Sequence, residues 1–91
     1  MRFFHATTRS RALEILRTKK LCSAAEPEVF VSNSRRVIED YGDGTLVEVT
    51  FPVGVKPVLN DEFPSGRRDF SVWVGKERCV RLRSAKVVKH A

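Results

Sequence analysis

The sequence predicts an α+β fold with a mainly antiparallel sheet, and three observations carry that prediction. Helical patterning falls early in the chain, apolar and alternating runs fall late, and no amphipathic stretch separates the later strands. A doubly wound parallel sheet needs a crossover helix between successive strands, so that architecture is excluded. At 91 residues the chain is one small domain spanning 1–91, and a hydrophobic fraction of 42% suffices for a single core. It holds no internal repeat, linker or low-complexity tract.

Residues 2–5 are apolar and aromatic and suit a strand. Thr7 or Thr8 then offers a side-chain oxygen to the free N–H groups of a first helix. Ala12, Ile15 and Leu16 fall on one face of that helix, and Leu13 widens it. The lysines before Leu21 suit its C-terminus, where positive charge meets the carbonyl end of the dipole. SAAEPE reads as a loop and EVFVSNS as a strand ending in capping residues. A second short helix is expected over 34–41, with Val37, Ile38 and Tyr41 on one side, stopped by Gly42 and the GDG turn. TLVEVTFPV is a strand whose alternation is imperfect, and VKPVLN is a shorter one. DEFPSGRR is a loop, DFSVWV a strand, GKER a turn, and CVRLRSAKVVKH holds one last strand with a basic outer side.

The net charge of +6 asks for a negative partner, and the basic residues are spread through the chain rather than gathered in one block. With few aromatics beside them, they describe a generally positive surface rather than a platform for stacked bases. Two cysteines, Cys22 and Cys79, are too few for a disulfide framework or a zinc site, so they are expected as buried reduced thiols of a cytoplasmic protein. No apolar stretch is long enough to span a membrane and no signal peptide opens the chain, so no membrane partner is expected. No metal site is expected either. GxGxxG, the P-loop, HExxH and GxSxG are all missing. A nucleophile pair of Cys22 or Cys79 with His5 is a residual alternative.

Three stretches remain, and their order matters. FFHATT is a strand ending in histidine, then a small residue, then threonine. VFVSNSRRVIEDYG sets an aromatic strand residue before a helix ending in tyrosine. RRDFSVWV is an acid opening an aromatic and apolar strand. In these short stretches, spread over most of the chain's length, the sequence resembles the ADP-ribosyltransferase superfamily, in its His–Tyr–acid branch of diphtheria-type toxins and poly(ADP-ribose) polymerases.

The resemblance implies a split β-sheet that binds NAD, as substrate, in a cleft. It implies that His5 holds a ribose hydroxyl and that Thr7 with the Ala6 backbone binds the nicotinamide amide. Tyr41 would stack on the nicotinamide ring with Phe30 near its other face, and Ser32 and Arg9 would join the NAD contacts. Asp69 would stand at the catalytic acid, with Glu62 in the preceding loop as its rival. Arg9, Arg11 or Arg35 would meet the pyrophosphate, since guanidinium groups pair bidentately with phosphate. The residue types suit the chemistry. Cleavage of the nicotinamide–ribose bond builds positive charge on the ribose, as in glycoside cleavage, and a carboxylate stabilises it. Asp69 departs from the usual glutamate by one methylene, and a displacement of about 1 Å can cost about a hundredfold in rate.

The expected activity is therefore transfer of ADP-ribose from NAD to a macromolecular acceptor, protein or nucleic acid. A second expectation is a catalytically inactive basic module for nucleic acid or a partner protein, favoured by Asp69 and the small size. A third is a nucleic-acid-directed relative of the tRNA 2′-phosphotransferases. Ordinary structural roles compete at each residue: His5 as a strand-end hydrogen-bonder, Tyr41 at a core edge, Asp69 as an acid paired with Arg67 or Arg68. Trp73 reads as core or sheet-face packing.

Overall fold

Six strands build the main sheet of the computed structural model, which describes residues 1–41 and 44–89. They are β1 (Phe3–Thr7), β3 (Glu28–Ser32), β4 (Thr45–Thr50), β5 (Val58–Glu62), β6 (Arg68–Trp73) and β8 (Ser84–Lys89). Their order is β5-β6-β3-β1-β4-β8, and every pair is antiparallel. β2 (Lys20–Cys22) and β7 (Cys79–Arg81) form a separate two-stranded ribbon. One α-helix, α1 (Arg9–Thr18), follows β1. The α+β class and the mainly antiparallel sheet are as expected from the sequence. No helix among the described residues is long and apolar enough to cross a membrane.

α1 starts where its cap predicts, with the Thr8 hydroxyl accepting from the Arg11 N–H at 3.2 Å. It buries Ala12 and Ile15, whereas Leu13 is exposed and does not widen the buried face. Lys19 ends it in the left-handed region, its N–H bonded to the Ile15 carbonyl at 2.8 Å. That turn sends the chain straight into β2, which the sequence reading had merged with the helix end.

The second helix expected over 34–41 does not form as an α-helix. Residues Arg35–Glu39 make a 3-10 turn, closed by i→i+3 bonds from Val37 to Ser34 and from Asp40 to Val37. Five residues with two β-branched side chains cannot recover the cost of helix nucleation. The expected Gly42 stop, and most of the GDG turn, lie outside the described residues.

β4 explains its own imperfect alternation. It is central and covered on both faces, so Leu46, Val47 and Val49 are all fully buried. Val47 and Val49 join Phe3, Val29, Val31, Val72 and Ile15 in the core, while the 3-10 turn contacts the strand as well. Phe3 sits between the rings of Phe51 and Phe70, with centroids 5.7 and 5.3 Å away. The buried Glu48 carboxylate is flanked by Arg2 at 3.6 Å and Lys86 at 3.5 Å. Trp73, expected to pack, is 70% exposed, because it points away from the face that Val72 buries.

The last stretch makes two strands rather than one. Leu82 donates to the Lys19 carbonyl and Arg83 to the Thr50 carbonyl, both at 2.8 Å, so neighbouring amides serve different sheets. Buried Leu82 pins the change of sheet.

The cysteines are not the reduced thiols expected. Cys22 and Cys79 face each other across the β2–β7 ladder and are joined as a disulfide, with Cα atoms 3.9 Å apart. A ribbon of three residues a side is marginal alone, and the bond ties positions 57 residues apart. Reduction, or Cys22→Ser with Cys79→Ser, is expected to lower the unfolding free energy by about 2–4 kcal/mol. Urea melts with and without reductant measure this, and superimposable melts would remove the disulfide's role.

Candidate functional site

β1 and β3 meet at a single bridge, Phe4 opposite Ser32. One residue further along β1, a side chain takes over from the ladder. His5 Nδ1 lies 2.7 Å from the Phe30 carbonyl oxygen. A carbonyl can only accept, so Nδ1 carries the proton and Nε2 keeps its lone pair in the neutral ring. Burial lowers the His5 pKa; the Phe30 bond opposes that shift and the charge of Arg11 adds to it. The imidazole is therefore neutral near pH 7, with Nε2 an acceptor.

A cleft of about 350 Å³ opens beside His5, lined among others by Ala6, Phe30, Tyr41, Asp61 and Asp69. Residues from FFHATT, VFVSNSRRVIEDYG and RRDFSVWV, widely separated in the chain, thus share one cavity. Phe30 and Tyr41 are large aromatics left 39% and 51% exposed on its walls, an arrangement that leaves apolar surface for a ligand.

Asp69 is the second residue of β6, opposite Ser32 of β3 and Asp61 of β5. Arg67 grips it with Nε at 3.0 Å and Nη2 at 2.8 Å, and the same guanidinium reaches Asp40 through Nη1. Burial pushes the Asp69 carboxyl up, but hydrogen bonds from Arg67 and Ser32, with the charge of Arg67, outweigh it and hold the carboxyl below its ordinary value. The bond to Asp69 raises the Arg67 pKa in turn. Arg67 also stacks over Phe63, 4.6 Å from the ring centroid. Asn33 fixes the hairpin that carries it, accepting from the Arg68 N–H at 2.7 Å and donating to the Gly66 carbonyl at 3.3 Å.

A second pocket of about 420 Å³ lies across His5 and includes Thr7, Arg11, Thr18 and Lys20. Arg11 and Lys20 form no ion pair among the described residues. Glu14 also lines this pocket but is tied to Arg17.

The remaining candidates from the sequence stand elsewhere. Arg9 is exposed and lines neither pocket. Arg35 lies over the Phe4 ring, 5.4 Å from its centroid. Ser32 is fully buried, its hydroxyl donating to the Arg68 carbonyl at 3.2 Å and accepting from the Ser34 N–H at 3.1 Å, which makes it part of the scaffold. Glu62 does not line the cleft and pairs with Arg68 at 3.1 Å. Asp61, which the sequence reading passed over, lines it instead. Neither family models, curated proteins nor solved structures yield a match to this chain.

Arg67→Met is expected to cost about 2–3 kcal/mol of stability, because it strands a partly buried carboxylate. Denaturant melts check this, and a wild-type midpoint would show that Asp69 needs no partner. The His5 shift has a definite sign. The unfolded chain binds the proton more readily than the folded one, so this contribution is complete above about 6.5 and lost as pH falls below it. His5→Asn is expected to flatten stability-against-pH below about 6.5 relative to the wild type, as urea melts across that range would show.

Proposed function

We propose that this protein is an NAD-dependent ADP-ribosyltransferase, cleaving the nicotinamide–ribose bond and passing ADP-ribose to a macromolecular acceptor. One observation carries the reading: His5, Phe30, Tyr41 and Asp69 line a single cleft. They are four of the residues to which the resemblance assigns NAD contacts or catalysis. A cleft of about 350 Å³ also falls within the size range of small-molecule sites.

The side chains divide the work by their chemistry. Tyr41 and Phe30 offer flat apolar faces to the nicotinamide ring. His5 Nε2 accepts from a ribose hydroxyl, and the Phe30 carbonyl fixes the ring orientation that makes it an acceptor. Asp69 supplies negative charge where the ribose becomes positive. Its clamp by Arg67 fixes its position without requiring reorganisation during the reaction. The second pocket, with Arg11 and Lys20, suits the pyrophosphate better than Arg9 or Arg35 does.

A second reading, a basic module for nucleic acid, has one observation of its own. Lys20 faces Arg81 directly across the β2–β7 ladder, a like-charge pair with no carboxylate partner among the described residues. NAD turnover separates the two readings.

His5→Ala and Tyr41→Ala are each expected to lower nicotinamide release from NAD by about tenfold or more, while circular dichroism shows the fold intact. Chromatographic detection of nicotinamide is the measurement. Release at wild-type rates in both variants would falsify the assignment.

A further inference from the structure

The β5–β6 ladder carries a one-residue irregularity. Val58 pairs with Ser71 and Leu59 with Phe70, but the next partners are Asp61 with Asp69 and Glu62 with Arg68. In a regular ladder Asn60 would stand opposite Asp69, and Asp61 opposite Arg68. Because successive strand residues alternate faces, the extra residue decides which acid meets the cleft. Asp61 turns towards Asp69 and the cavity. Glu62 takes the other side, where its carboxylate is engaged by Arg68 at 3.1 Å.

The two cleft carboxylates are not equivalent. Both oxygens of Asp69 accept from Arg67. Asp61 forms no ion pair among the described residues and sits on the exposed edge strand of the sheet. One carboxylate is held in place by its partner, and the other is open to an incoming molecule.

We propose that Asp61 is the general base of this cleft, receiving the proton of the attacking nucleophile while Asp69 provides the fixed charge beside the ribose. This rests on the transferase reading. In the step, the bond from ribose C1′ to the nicotinamide nitrogen breaks, and its electron pair leaves with neutral nicotinamide. The O–H or N–H nucleophile bonds to C1′ through its lone pair, and its proton passes to an Asp61 carboxylate oxygen and then to solvent. No oxidant or further co-reactant is required. The acceptor enters over the β5 edge, where Asn60 and Asp61 line the rim. The bulge at Asn60 thereby selects the catalytic carboxylate from the Asn-Asp-Glu run of β5.

Nicotinamide release with water as acceptor tests this in the full-length chain, alongside NAD binding by calorimetry. Asp61→Asn and Asp61→Ala are expected to slow release by about a hundredfold while NAD still binds, and added formate is expected to restore part of the rate to Asp61→Ala. Formate rescue marks a missing base, which a purely structural role would not show. If Asp61→Asn turns over at the wild-type rate while His5→Ala is silent, the role of Asp61 is overturned and the transferase reading stands. If the wild-type protein neither binds NAD nor releases nicotinamide, the transferase reading fails and takes this role with it.

Discussion

In the six-stranded main sheet, β1 and β3 pair through a single bridge. β5, β6 and β3 form one half, β1, β4 and β8 the other, and the bridge between Phe4 and Ser32 is the ladder contact between them. The single bridge holds because its neighbourhood is heavily anchored: Ser32 is latched to the Arg68 carbonyl, and Phe3 is wedged between Phe51 and Phe70. The hydrogen bond from His5 to the Phe30 carbonyl then satisfies a backbone acceptor that a longer ladder would have used. One side chain thus both closes the junction and faces the cavity.

Charge is arranged around that junction in a graded way. Arg67 draws Asp40 and Asp69 together, so the 3-10 turn that precedes Tyr41 and the strand that carries Asp69 are tied to one guanidinium. The planar fork of arginine suits this task, since it binds one carboxylate through two nitrogens and still reaches a second. Tyr41 lies next to Asp40 in the chain, so the clamp also bears on where that ring stands. The free carboxylate, Asp61, comes from the neighbouring strand, and a bulge rather than a loop aims it.

Two basic residues lie on the other side of His5. Arg11 from α1 and Lys20 from β2 converge on the second pocket, whose wall includes the disulfide between Cys22 and Cys79. Cross-linking the ribbon offsets the like-charge contact of Lys20 with Arg81.

By itself the sequence determined the fold class, a threonine cap at Thr7 or Thr8 and the central strands, because these follow from local hydrogen bonding and from hydrophobic periodicity. Through the resemblance of three short stretches to a known family it also singled out His5, Ala6, Phe30, Tyr41 and Asp69, which line the cleft, and Thr7, Arg9, Ser32 and Glu62, which do not. Tertiary structure decided the rest. Whether residues 34–41 became an α-helix depended on nucleation cost against packing on β4. The CVRLRSAKVVKH stretch split because Leu82 and Arg83 bond to different sheets, which no local pattern encodes. Cys22 met Cys79 only because β2 and β7 pair across a long separation. The choice of Asp61 over Glu62 was the least legible of all. It turns on a one-residue bulge in cross-strand register, and register is a property of two strands together.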